Sequence, residues 1–214
     1  MTRQTTPGAV APQPSPWAAV ANGLNGATRR LPTWPVYLFG LLPVPWFFWK
    51  ALNGEMGVNP VEALEHRYGL FALQFLVAGL AVTPLRRLLG INLIRFRRAI
   101  GLTAFFYVLA HLSVWALLDV QSLAAIWKDI VKRPYITIGM TGFLCLLPLA
   151  LTSNNWSLRR MGPLRWRRLH RLTYPAVLLG SAHFVMLVKG WQTEPILYFG
   201  AIVGLLLLRL VPGR

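Results

Sequence analysis

Cysteine is nearly absent from this chain: one residue, Cys145, in 214. A lone cysteine excludes an intramolecular disulfide, an all-cysteine zinc site and a cysteine-ligated iron–sulfur cluster, so Cys145, inside an apolar run, reads as a small buried hydrophobe. Acidic residues are almost as scarce, at 6 against 22 basic ones, and all charged residues together make up only 13% of the chain. Soluble domains carry about 25%. Glycine-rich phosphate loops, GxSxG and HExxH are missing too, which removes the common nucleotide-binding, hydrolase and zinc-protease signatures. What is present is apolar: 55% of the residues are hydrophobic.

The net charge of +16 would suit a nucleic-acid binder only if the basic residues formed a solvated face. Here they lie between long apolar runs, so nucleic acid is excluded as a partner and membrane lipid takes its place. A helix needs roughly 20 apolar residues to cross the hydrocarbon. Six windows approach that length: 31–52, 68–84, 99–118, 135–152, 172–188 and 195–211. The expected fold is an all-α polytopic membrane six-helix bundle spanning 29–214. Pro43 and Pro45 should kink the first span. Residues 1–28, rich in Pro, Ala, Thr and Gln, read as a disordered cytoplasmic tail, and Arg29-Arg30 as a topology anchor.

Charge placement orients the spans. The six acidic residues fall in three loops that also hold or border six basic ones: Lys50, Arg67, Lys128, Lys132, Arg133 and Lys189. The remaining 16 of the 22 basic residues lie on the opposite side. By the positive-inside rule that side, with both termini, is cytoplasmic. Loops 52–67, 119–134 and 189–194 are then expected outside.

Polar side chains within a bilayer are costly and mark function. The spans offer two histidines, His111 and His183. His111 lies 13 residues beyond Arg98 and His183 lies 12 beyond Arg171. At about 1.5 Å per residue both imidazoles stand roughly 18–20 Å past the inner anchors, on spans running the same way. Two histidines at one depth on parallel helices can clamp a haem iron from both faces, giving a centre that passes electrons instead of activating substrate. The alternative is that each merely hydrogen-bonds across a helix interface. Nearer the cytoplasm, His170 precedes His183 by 13 residues and Arg97 precedes His111 by 14. His170 could ligate a second haem, or belong to a basic cytoplasmic patch. Arg97 stays protonated and has no lone pair for iron, so its expected role is to hold a haem propionate. His66, after Glu62 and Glu65, is either a solvated interfacial residue or a group at the haem edge or a quinone site.

The stretches NPVEALEHRYGLFALQFLVAGLAVTPLRR, RFRRAIGLTAFFYVLAHLSVWALLD, RPYITIGMTGF and LRWRRLHRLTYPAVLLGSAHFVMLVK resemble the MsrQ (YedZ) family, the haem-binding membrane subunits of bacterial protein-methionine-sulfoxide reductase systems. Ferric reductases and NADPH oxidases are wider relatives, so the resemblance implies a ferric-reductase-like cytochrome b. In those relatives two histidine pairs hold two stacked haems. His111 and His183 match the outer pair and His170 one inner ligand, while Arg97 stands at the remaining inner position. The resemblance implies haem b (one, or two), iron ligated by His111, His183 and His170, and FMN. It implies electrons taken from quinol and passed to a periplasmic molybdopterin-containing catalytic subunit in a heterodimer, where methionine sulfoxide is reduced, so the catalytic site lies on the partner. The competing readings are a metalloreductase-type carrier fed by a separate flavoprotein, and a non-redox membrane scaffold.

Overall fold

Sixteen prolines are a heavy load for a helical chain, and their positions show where its helices begin. A helix's first turn needs no backbone N–H from its leading residues, so proline is tolerated there. Pro16, Pro35, Pro43, Pro60 and Pro134 each occupy the first or second position of a helix. The computed structural model describes residues 15–188 and 190–209. Among them run α1 (Pro16–Arg30), α2 (Trp34–Leu41), α3 (Pro43–Leu52), α4 (Pro60–Leu89) and α5 (Arg97–Val114), then α6 (Leu123–Lys132), α7 (Pro134–Leu151), α8 (Asn155–Leu169), α9 (Thr173–Leu187) and α10 (Thr193–Leu207). Short 3-10 turns, Ile94–Phe96 and His170–Leu172, lead into α5 and α9, and a π-helical stretch, Trp115–Val120, follows α5. No strand occurs among the described residues, and the chain is an all-α polytopic membrane protein.

Four segments are long and apolar enough to cross a bilayer: Trp34–Leu52, Pro60–Leu89, Ile94–Val120 and Pro134–Leu151. They coincide with the first four expected spans. The fifth and sixth correspond to α9 and α10, each 15 residues, or about 22 Å of helix. The hydrogen-bond ladder of the first span breaks at Pro43, which has no N–H, while Leu42 keeps helical φ and ψ between α2 and α3. Two tyrosine hydroxyls donate to carbonyls on either side of that break: Tyr107 to Gly40 at 2.7 Å and Tyr68 to Val44 at 2.6 Å. The Tyr107 ring, fully buried, also stacks on Phe71 and Phe75.

The N-terminal segment differs from its expectation. Residues 1–14 of the expected tail lie outside the described residues, but from Pro16 the chain is the helix α1, which runs through the expected boundary at 28/29. An isolated helix of this length is marginal, and tertiary hydrogen bonds to the α4–α5 loop supply what composition does not. Trp17 Nε1 donates to the Leu89 carbonyl at 3.0 Å, Asn25 Nδ2 to Gly90 at 2.9 Å, and Asn92 N to Asn25 Oδ1 at 2.8 Å. Arg95 donates to the Thr28 and Arg29 carbonyls at the end of α1.

Two helix pairs position the histidines. α5 packs on α4 and α9 packs on α7, while contacts of α4 with α9 and of α5 with α7 close the four into a bundle. Its core includes Leu76 and Leu80 of α4, Ala104 of α5, Leu146 of α7 and Val177 of α9, with Ile202 of α10 against them.

Candidate functional site

His111 and His183 sit on different helices and each reaches across to its packing partner. His111 on α5 places Nδ1 2.9 Å from the carbonyl oxygen of Glu65 on α4. His183 on α9 places Nδ1 2.7 Å from the carbonyl oxygen of Tyr135 on α7. A carbonyl can only accept, so in each ring Nδ1 carries the proton and Nε2 keeps its lone pair. This is the arrangement by which metal-bound histidines are held: one ring nitrogen donates to a fixed acceptor, which orients the ring and raises the basicity of the other.

The two rings lie edge-on to one another, with centres 6.2 Å apart and planes inclined at 75°. Two metal–nitrogen bonds of about 2 Å, with about 1.2 Å from each ligating nitrogen to its ring centre, set the centres of an axial imidazole pair roughly 6.4 Å apart. The observed separation is close to that value. Among the described residues no group of three or more His, Cys, Asp or Glu side chains could hold a metal ion. Two histidines alone are a poor cage for a bare ion, but they complete the coordination of a metal whose other four ligands come from a porphyrin. His111 and His183 thus fit a haem.

His66 lies one residue beyond Glu65, with its ring centre 5.7 Å from that of Phe184, the neighbour of His183. It borders the site without joining the histidine pair.

The inner level is arranged differently. His170 lies in the turn before α9, and Pro175 falls in the first turn of that helix, where it leaves no hydrogen bond unmade. The His170 ring stacks on Trp166 with centres 3.7 Å apart, and Trp166 Nε1 donates to the Thr152 carbonyl at 2.9 Å. Thr152 Oγ1 donates to Pro148 at 2.6 Å, so the 3.2 Å contact between His170 Nε2 and Thr152 Oγ1 has the imidazole as donor. Burial pushes the His170 imidazole down to about 4, and the nearby charges of Arg97 and Arg98 push it the same way. Arg97 opens α5, at the opposite end of the helix from His111.

The carbonyls of Glu65 and Tyr135 are the parts of this site that side-chain reasoning misses. Backbone acceptors leave no side-chain signature, and the packing that turns each ring toward its carbonyl is tertiary.

Comparison with known proteins follows the same lines. Residues 66–181 match the family described as ferric reductase like transmembrane component. The chain is 49% identical over 179 residues to the protein-methionine-sulfoxide reductase heme-binding subunit MsrQ of Brucella anthropi, covering 83% of this chain and 81% of that protein. Against the MsrQ of Agrobacterium fabrum the identity is 51% over 179 residues, covering 83% of each. The Brucella ovis MsrQ is 49% identical over 178 residues, 83% of this chain and 80% of that one. No solved structure gives a significant match.

Proposed function

Since the chain belongs to the MsrQ family of heme-binding subunits, within the ferric reductase like transmembrane proteins, we propose that it is the membrane electron carrier of a methionine sulfoxide reductase. It takes electrons from the quinone pool and delivers them to a periplasmic molybdopterin-containing catalytic subunit, so that oxidised envelope proteins are repaired. His111 and His183 would hold a haem b, which would supply the one-electron redox change. The single observation that carries this reading is the adjacent imidazole pair, each ring with its proton fixed on Nδ1 and its Nε2 free. With both histidines bound to its iron, the haem would have no open position for oxygen or substrate, which would suit a relay.

The remaining residues divide by level. Charge asymmetry supports an inner-membrane orientation with the termini cytoplasmic, and α9 and α10 serve as fifth and sixth spans by tilting little and drawing the bilayer thinner around them. The histidine pair then lies toward the periplasm, close to the outer loops. Within those loops α6 leaves Leu123, Trp127 and Val131 exposed along one face, which supports docking of the catalytic subunit there. At the inner level His170 and Arg97 are assigned to a second haem only if the Thr152 and Trp166 contacts open, so the reading here is one haem per chain.

The test is purification of the full chain from haem-replete membranes. The reading expects a low-spin, bis-imidazole haem b spectrum, reduction by a menaquinol or ubiquinol analogue, and reoxidation when the catalytic subunit and methionine sulfoxide are added. A colourless preparation would return the chain to the scaffold reading. Reduction only by a soluble flavin reductase would favour the metalloreductase-type carrier.

A further inference from the structure

On the reading that His111 and His183 are axial ligands, we propose that Gly69 and Gly139 are positioning residues, each a seat without which its histidine could not reach the carbonyl that fixes it. The offset is the same in both places. Gly69 lies four residues after Glu65 on α4, and Gly139 four after Tyr135 on α7. In a helix the carbonyl of one residue points at the residue four further on, and positions four apart lie one above the other on the same face. An imidazole that donates to carbonyl 65 or 135 must therefore lie over residue 69 or 139.

The distances show how closely. A Cβ built on Gly139 would stand 2.9 Å from Nδ1 of His183 and 3.2 Å from its Cε1 and Cγ. On Gly69 it would stand 3.2 Å from Nδ1 of His111 and 3.4 Å from Cε1. The first separation is closer than real side-chain carbons come, and the second needs the ring to give by a few tenths of an ångström. Neither ring can swing away freely, because each is pinned on one side by its hydrogen bond and meets the other ring on the opposite side. Glycines on the histidine-bearing helices behave differently. Gly101 on α5 and Gly180 on α9 have nothing within 4 Å of a built Cβ. Two unrelated helices thus present the same device, a free carbonyl edge and a missing side chain one turn on, each to the one histidine opposite it.

A methyl group at either seat would push the ring off its carbonyl and lengthen the Nδ1–H···O bond. A weaker bond makes Nε2 a poorer donor, which favours ferrous over ferric iron and raises the reduction potential. The seats would then set the potential of the centre through backbone acceptors that no side-chain substitution can remove directly.

The experiment compares the full-length wild type with Gly69→Ala, Gly139→Ala and Gly101→Ala in detergent or nanodiscs, reading haem per protein, the low-spin EPR spectrum and the midpoint potential. Gly101→Ala should match the wild type. Gly139→Ala should raise the midpoint, change the EPR g-values and weaken haem retention roughly tenfold, the lower end of the cost of losing an outer-shell partner. Gly69→Ala should move every readout the same way by less. Should Gly139→Ala fail to accumulate, Gly69→Ala decides alone. Wild-type midpoint and EPR spectrum in the alanine variants that fold, with bis-imidazole haem in the wild type, would overturn the proposal. Absence of haem from the wild type would instead remove the reading on which it rests.

Discussion

Replacing either histidine of the pair by alanine should strip the haem, and the size of the loss can be bounded from the site itself. On the proposed assignment His183 would contribute its Nε2 lone pair, oriented by the 2.7 Å bond from Nδ1 to the Tyr135 carbonyl. Losing only an orienting partner of this kind costs about 10–100-fold in metal affinity. His183→Ala removes both the ligand and its orientation, so retention should fall by more than about 100-fold, or more than about 2.7 kcal/mol. The fold itself should survive. The Tyr135 carbonyl stays in its helix, and the vacated space is lined by Gly139 and that same carbonyl. The space has the shape and the acceptor that held an imidazole, so free imidazole should enter it, donate an N–H to the Tyr135 oxygen and restore a bis-imidazole spectrum. His111→Ala should behave alike through Gly69 and the Glu65 carbonyl. The assay is pyridine-haemochrome content per protein, with optical spectra taken across an imidazole titration. Stoichiometric low-spin haem in either variant without added imidazole would refute the ligand assignment.

Four further outcomes are expected. His170→Ala should leave the haem-to-protein ratio and midpoint unchanged, because His170 is engaged by Thr152 and Trp166; a halved ratio in haemochrome analysis would instead establish a second, inner haem. Tyr107→Phe keeps the ring stack but deletes the 2.7 Å bond to Gly40, and should destabilise the protein by about 1 kcal/mol in a reversible unfolding assay, within the range of side-chain hydrogen bonds in membranes; no change would mean the break in the first span does not need that donor. Asn25→Ala loses both of its long-range bonds, to Gly90 and Asn92, and should raise hydrogen exchange across α1 with no effect on the haem spectrum. Gly162, at φ 75° and ψ 158° inside the kink of α8, occupies a region almost closed to other residues, so Gly162→Ala should cost about 1–3 kcal/mol, read as a lowered melting temperature.

How much of this was legible beforehand follows from what each feature depends on. The first four spans depend on local apolar content, and the windows found them. The common depth of His111 and His183 depends on the fixed rise of a helix counted from Arg98 and Arg171, and so was legible too. Their rotation was not, because whether two rings meet is decided by how α4 packs on α5 and α7 on α9. The break in the first span was legible in Pro43 and Pro45, but the service of its carbonyls by Tyr107 and Tyr68 was not. α1 read as a tail because its own sequence is a weak helix former, while the groups that hold it lie some 65–72 residues away in the chain. For His170 the sequence leaves haem ligand and basic patch both open; its spacing of four from Trp166 allows the stack, but the contact with Thr152, 18 residues away, depends on tertiary packing.

The division of the site between two helix pairs has a mechanical consequence. Each ring is fixed to the helix opposite its own, His111 to α4 and His183 to α7. The 6.2 Å between ring centres is therefore a distance between two packed pairs, held where α5 meets α7 and α4 meets α9. A substitution at those meeting points acts on the gap without touching either ring. A ligand geometry built this way is stiff against the motion of any single side chain, because close-packed interiors resist small displacements, and that stiffness would suit the proposed electron relay, whose centre would change charge without the protein around it having to move.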